Sequence, residues 1–291
     1  MTTAQQKQPH AQPQPTHTIH FQLTPYNNIA VKAILNQQDT VVLMFHTAAN
    51  SMTLTEATTQ KLKSLRFEGA DSVKSWGGAD NTSRFSKGNQ LQIGSQQWQD
   101  VAIWENKNSG QNTDGKFGTD LFANQVIEIN FDQHNIIIHP TLPRRLRKYQ
   151  KLKLTFENDM LFLQAACTIN DTALPNKFLI HSGYAGAVLL DDKFTNNNKI
   201  SEKLAIVSTK ELKDSYGNVL KTRKAILPAF TIGNLTLQQV PVGFFEGAIG
   251  RQKMSIIGGD ILKRFNWIID AQRNYVYLKP SKLKNSSWST I

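Results

Sequence analysis

The chain has 291 residues, of which 40% are hydrophobic and 19% charged, an ordinary balance for a globular protein with a sizeable core in one large domain or two medium ones. No run approaches eighteen consecutive apolar residues, which argues against a membrane-spanning helix, and the single Cys167 excludes an intrachain disulfide framework and a cysteine-rich zinc site. The net charge of +11 favours anionic surroundings in general, but no nucleic-acid motif accompanies it.

Residues 1–16 are rich in Gln and Pro and nearly free of large apolar side chains, so they are expected to stay disordered. They lack the charged-then-apolar layout of a signal peptide. An exported chain whose leader has been removed and a cytoplasmic chain both fit the letters, and export is the preferred expectation. The runs AVKAIL and TVVLMF, separated by the turn signal NQQD, predict a pair of strands. The second closes on Phe45-His46-Thr47-Ala48-Ala49-Asn50, a histidine followed by a hydroxyl residue at the end of an apolar run. Thr55 to Leu65 is the best helical pattern, with Thr53 or Thr55 as its cap. Lys74 to Asp80 places Trp76 beside Gly77-Gly78, the composition of a hairpin tip.

Strand-like runs continue through Leu91-Gln92-Ile93-Gly94 and Phe117-Gly118-Thr119-Asp120-Leu121 to a closing hairpin that ends at Pro140. The basic run Arg144-Arg145-Leu146-Arg147-Lys148, with Lys151 and Lys153 after it, reads as a solvated connector. Beyond it, Phe178-Leu179-Ile180-His181-Ser182-Gly183 again ends an apolar run on His-hydroxyl-small. Tyr216-Gly217 forms a second candidate hairpin tip. Residues 241–255, PVGFFEGAIGRQKMS, form a glycine-broken loop, and Ile257-Gly258-Gly259-Asp260-Ile261 opens a short helix before a last hairpin ending at Pro280.

Three blocks of the first half therefore return in the second, in the same order, with Phe230-Thr231-Ile232-Gly233 answering Leu91-Gln92-Ile93-Gly94, at offsets of 135, 139 and 140 residues. Collinear blocks at nearly constant offset imply a duplicated unit, over 17–143 and 144–282, with 1–16 and 283–291 as tails. Alternating and continuous apolar runs dominate both units, which predicts an all-β fold with a few short helices.

The order strand, apolar-x-hydroxyl-small loop, flap hairpin, apolar-apolar-Gly, short helix, final hairpin resembles the pepsin- and retropepsin-like aspartic proteases. The likeness runs over both halves, and the LKRFNWIIDAQRNYVYLKP segment is most similar to bacterial members. It implies a bilobal fold of two β-barrel-like lobes, a monomer, no cofactor, and a cleft for a peptide or polymer between the lobes. The resemblance places the two catalytic positions at His46 and His181, and an interlobe grip at Thr47 and Ser182. Trp76, Gly77, Tyr216, Gly217, Phe244 and Phe245, with Arg251, are the implied substrate contacts. Asp120 and Asp260 are expected to cap their short helices.

The departure lies at the dyad. The family's chemistry needs two carboxylates sharing one proton, and this chain has an imidazole at each position. Ala48 also replaces the glycine that the family has there, while Gly183 keeps it. Three uses of the pair follow: a mutually satisfied pair in a cleft that only binds, two ligands of a zinc or copper ion that needs others, or a general base for hydrolysis. The leading expectation is a pseudoenzyme that binds an extended chain, with the His46/His181 hydrolase as the alternative.

Overall fold

The computed structural model describes residues 16–74, 80–107, 111–213, 219–246 and 252–289. The first half contributes β1 (His17–His20), β2 (Gln22–Leu23), β3 (Ile29–Leu35), β4 (Asp39–Phe45), β5 (Met52–Thr55), β6 (Gly69–Lys74), β7 (Asp80–Ile93), β8 (Gln96–Asn106), β9 (Gly115–Phe117), β10 (Val126–Asn130) and β11 (Asn135–His139). The second contributes β12 (Gln150–Glu157), β13 (Met160–Ile169), β14 (Thr172–His181), β15 (Val188–Leu189), β16 (Ile206–Lys213), β17 (Val219–Ile232), β18 (Leu235–Glu246), β19 (Ser255–Gly258), β20 (Phe265–Ile269) and β21 (Tyr275–Pro280). Among the described residues four short α-helices join them, α1 (Glu56–Thr59), α2 (Asp192–Asn197), α3 (Ile200–Lys203) and α4 (Gly259–Leu262), together with a 3-10 helix over Thr119–Phe122.

One lobe has the sheet order β3-β4-β9-β5-β8-β7-β6 and closes on itself through a β3–β7 pairing. The other runs β13-β14-β19-β15-β18-β17-β16 and closes through β13–β17, the same path strand for strand. Between them lies the row β1-β11-β10-β20-β21-β12, to which both halves contribute. At its centre Ile127 pairs with Ile269, Glu128 with Ile268 and Ile129 with Trp267. A shift of 140 residues carries Ile127 onto Trp267 and Ile129 onto Ile269, so this ladder straddles a pseudo-twofold axis. The all-β bilobal expectation holds.

Sequence accounts for the local choices. β3 buries Ile29, Ala30, Val31, Ala33 and Leu35 and exposes Lys32 and Ile34, an alternating strand with one wet face toward its end, whereas β20 is buried at every position. The β3–β4 hairpin turns at Asn36 and Gln37 and the β13–β14 hairpin at Asn170 and Asp171, all with positive φ between 49° and 58°, the backbone of a two-residue turn that suits the strand twist.

Two expectations are corrected. The predicted helix over 55–65 stops after Thr59; Thr55 does cap it, its hydroxyl accepting from the Thr58 N–H at 3.2 Å. Beyond that point Asp39 Oδ2 accepts from the N–H of Lys63 (3.1 Å) and of Ser64 (2.8 Å) and from the Ser64 hydroxyl (2.6 Å), which diverts the chain from the helical path. Nor do Asp120 and Asp260 hold the N-cap positions, which Gly118 and Gly258 occupy without a side-chain bond; the Asp120 carboxylate does accept from its own N–H and that of Leu121 in the first turn. Asp260 is instead buried in a charged cluster, with Lys263 Nζ at 2.8 Å and Arg264 Nη2 at 3.3 Å.

That cluster organises the end of the chain. The buried Arg264 donates to the carbonyls of Lys284 and Ser286 at 2.8 Å and stacks 3.4 Å from the Trp288 ring centroid. Asp260 Oδ2 accepts the Ser289 N–H at 2.7 Å. Residues 284–289, expected as a tail, thus lie as a strap against α4. Arg264→Met is expected to leave the carbonyls of Asp260, Lys284, Ser286 and Ser287 and a buried carboxylate short of donors, and to destabilise the protein by roughly 3 kcal/mol. Urea denaturation, together with carboxypeptidase trimming of the strap in the variant but not in the parent, checks this.

Candidate functional site

β4 and β14 deliver the two histidines to the same place from opposite sides of the axis. Each strand runs parallel beside a short partner: Phe45 pairs with Phe117, and His181 with Gly258. Each then turns sharply, the Ala49 N–H donating to the His46 carbonyl and the Tyr184 N–H to the His181 carbonyl, both at 3.1 Å. The following hydroxyls cross. Thr47 Oγ1 donates to the Ile180 carbonyl and Ser182 Oγ to the Phe45 carbonyl, each at 2.7 Å. In return, the Thr47 N–H donates to Ser182 Oγ and the Ser182 N–H to Thr47 Oγ1, each at 3.0 Å. Four buried bonds related by one 135-residue shift therefore join the loop tips, and each backbone group they satisfy would cost about 1–3 kcal/mol if left alone.

The grip brings the rings of His46 and His181 to a centroid separation of 4.6 Å, inclined by 65°. His46 is 7% exposed. Its Nδ1 accepts from the Ala48 N–H at 3.2 Å, which assigns the ring proton to Nε2. That edge lies against Gly183, where a Cβ would stand 2.4 Å from Nε2. Glycine at 183 is thus a condition of the ring's position, whereas Ala48 directs its methyl toward an apolar cluster of the second lobe.

Burial, reinforced by His181 and then by Lys116, holds His46 well below the usual histidine range. Burial and then Lys116 bring His181 down to about 4, against an opposing backbone hydrogen bond. Both rings are neutral at neutral pH. Lys116, on β9 beside Phe117, was not among the residues singled out in the sequence.

Flanking the pair, Phe162, Leu179, Leu189 and Ile256 form an apolar cluster, with Ala48, Met160, Tyr184, Phe245 and Met254 packed on it. Beside it opens a cavity of about 560 Å³ whose lining includes Tyr26, Tyr184, Leu189, Thr222, Lys224 and Phe245. Neither imidazole lines this cavity; it approaches the pair through Tyr184, three positions after His181. Burial pushes the Tyr184 phenol up to about 12, so it remains a neutral hydroxyl.

Of the expected contacts, Phe245 lines the cavity, but Phe244 does not reach it. Its ring is fully buried in the main core, because successive residues of β18 point to opposite faces. Trp76, Gly77, Tyr216, Gly217 and Arg251 lie outside the described residues. Among the described residues no group of three or more His, Cys, Asp or Glu side chains is gathered in a way that would hold a metal ion.

No protein-family model matches the sequence, and no curated protein matches it. The crystal structure of an aspartic proteinase from Irpex lacteus superposes on the chain with a TM-score of 0.63, covering 94% of this chain and 99% of that one at 12% sequence identity. The fold is that of a bilobal, pepsin-like aspartic proteinase.

The depressed imidazoles make stability depend on pH. In the unfolded chain each ring titrates near 6.5; in the fold His181 does so near 4 and His46 well below 6.5. The unfolded state therefore binds more protons in that window. The contribution is complete above about pH 6.5 and is lost as the pH falls toward 4. Denaturant midpoints between pH 4.5 and 7.5 are expected to fall more steeply with acid for the parent than for His46→Asn/His181→Asn. Parallel curves would contradict the assignment.

Proposed function

We propose that this chain is a binding protein built on an aspartic-proteinase scaffold. It holds an extended peptide between its lobes and does not cleave it by the shared-proton carboxylate mechanism. The single observation that carries this reading is the pair of facing imidazoles, 4.6 Å apart, at the two loop tips joined by the crossed hydroxyl grip. A carboxylate dyad works because one acid gives a proton while the other takes one from water. Two neutral, desolvated imidazoles supply neither a strong acid nor a strong base at neutral pH. A general base serves best with a pKa near the working pH, and burial takes both rings away from it. The cavity beside Tyr184 and Phe245, mostly apolar but with Thr222, Lys224 and Asp260 also in its lining, suits side chains of a bound peptide.

The expected outcome is retention without turnover. The full chain, incubated with a defined mixture of casein-derived peptides and passed over a sizing column, should carry intact peptides in the protein fraction by mass spectrometry. No new termini should appear between pH 3 and 8. Tyr184→Ala/Phe245→Ala should lower retention by about tenfold, the order expected when buried aromatic anchors are truncated. Pepstatin-sensitive cleavage products would overturn the absence of turnover, and absence of any retained peptide would overturn the binding role.

A further inference from the structure

The two lobes follow one path but differ at one row of side chains. In the second lobe, cross-strand register aligns Phe162 with Leu179, Leu179 with Ile256, and Ile256 with Leu189. The same row in the first lobe runs Ala30, Met44, Lys116 and Thr53. Residues in register across neighbouring strands share a face, so Lys116 stands where the second lobe has the buried Ile256. A lysine in an apolar place normally finds a carboxylate. Among the described residues, no carboxylate pairs with Lys116 and no side-chain hydrogen bond holds its ammonium; burial alone draws its pKa down.

Its position relative to the dyad sites is fixed by the ladder. Met44 lies beside Lys116, and the next residue, Phe117, accepts the His46 N–H at 2.9 Å. The lysine's charge acts on both imidazoles and favours their neutral forms. No carboxylate enters among the causes that shift either ring. A pepsin-like scaffold with an acid dyad carries negative charge at this point. Here the same point is bordered by one unpaired ammonium and two imidazoles that gain by protonation once an anion is present.

We infer that Lys116, His46 and His181 form an anion site at the joined loop tips that receives a carboxylate of the bound peptide. The source is an aspartate or glutamate side chain, or the peptide's own C-terminus. The inference rests on the cleft-binding reading and adds the chemical class of the ligand. The anion would give the half-buried ammonium a partner through a charge-assisted bond. It also accounts for a lysine kept in a row that the other lobe fills with apolar side chains.

Isothermal titration with three alanine-rich octapeptides tests it. The first has both ends blocked and a central glutamate. The second is the same with glutamine. The third has glutamine and a free carboxyl end. One of the two anionic peptides should bind about tenfold more tightly than the neutral one, and which one identifies the source. In Lys116→Met the discrimination should shrink to about twofold or less. The variant's thermal midpoint should equal or exceed that of the parent, because an apolar side chain suits the row. Equal binding of all three peptides overturns the anion site while the cleft stands, and binding of none overturns both. Discrimination surviving in Lys116→Met overturns the role given to the lysine.

Discussion

The crossed exchange between Thr47 and Ser182 is the constraint on which the rest of the site depends. Each hydroxyl donates to a carbonyl of the opposite strand and accepts the opposite backbone N–H, so the two loop tips cannot move apart without stranding four buried backbone groups and both hydroxyls. The central ladder between β10 and β20 repeats the same twofold relation through main-chain bonds. Grip and ladder together give each imidazole one position, opposite the other. Gly183 completes the arrangement by leaving room for His46.

What that frame holds differs from what such a frame holds in an acid peptidase. Two carboxylates at this spacing must share a proton, and their mutual repulsion is the source of their reactivity. Two imidazoles relieve the same conflict by remaining neutral, each offering one donor and one acceptor. Burial keeps them so, with Lys116 adding to it. Acid makes the arrangement less stable, whereas a dyad scaffold is built around carrying a proton. The lobes are also unequal in a way the shared topology hides. The second presents an apolar face and most of the lining of the cavity beside Tyr184, and the first presents a lysine.

Much of this was legible in the letters, for reasons that can be named. The duplication was visible because the loops that meet at the axis carry the strongest constraints, so His-hydroxyl-small and apolar-Gly recur while the intervening strands drift. The short extent of α1 was hidden because the competing bonds come from Asp39, distant in sequence from Ser64. Phe244 and Phe245 could not both face a cleft on one strand, and alternation along β18 decides for Phe245. Lys116 escaped notice because it follows a polar loop on a three-residue strand, where lysine looks unexceptional. Its signal was present in the repeat itself: under the 140-residue shift it falls on Ile256, a mismatch of charge against aliphatic at an otherwise apolar position.

The most direct test of the account is a long-range nitrogen–proton correlation spectrum of the histidine rings in the intact protein near pH 6, with ring-to-ring proton contacts recorded on the same sample. The account predicts two neutral imidazoles in mutual contact, His46 bearing its proton on Nε2 alone. A doubly protonated ring at either position, or rings with no contact between them, would contradict it.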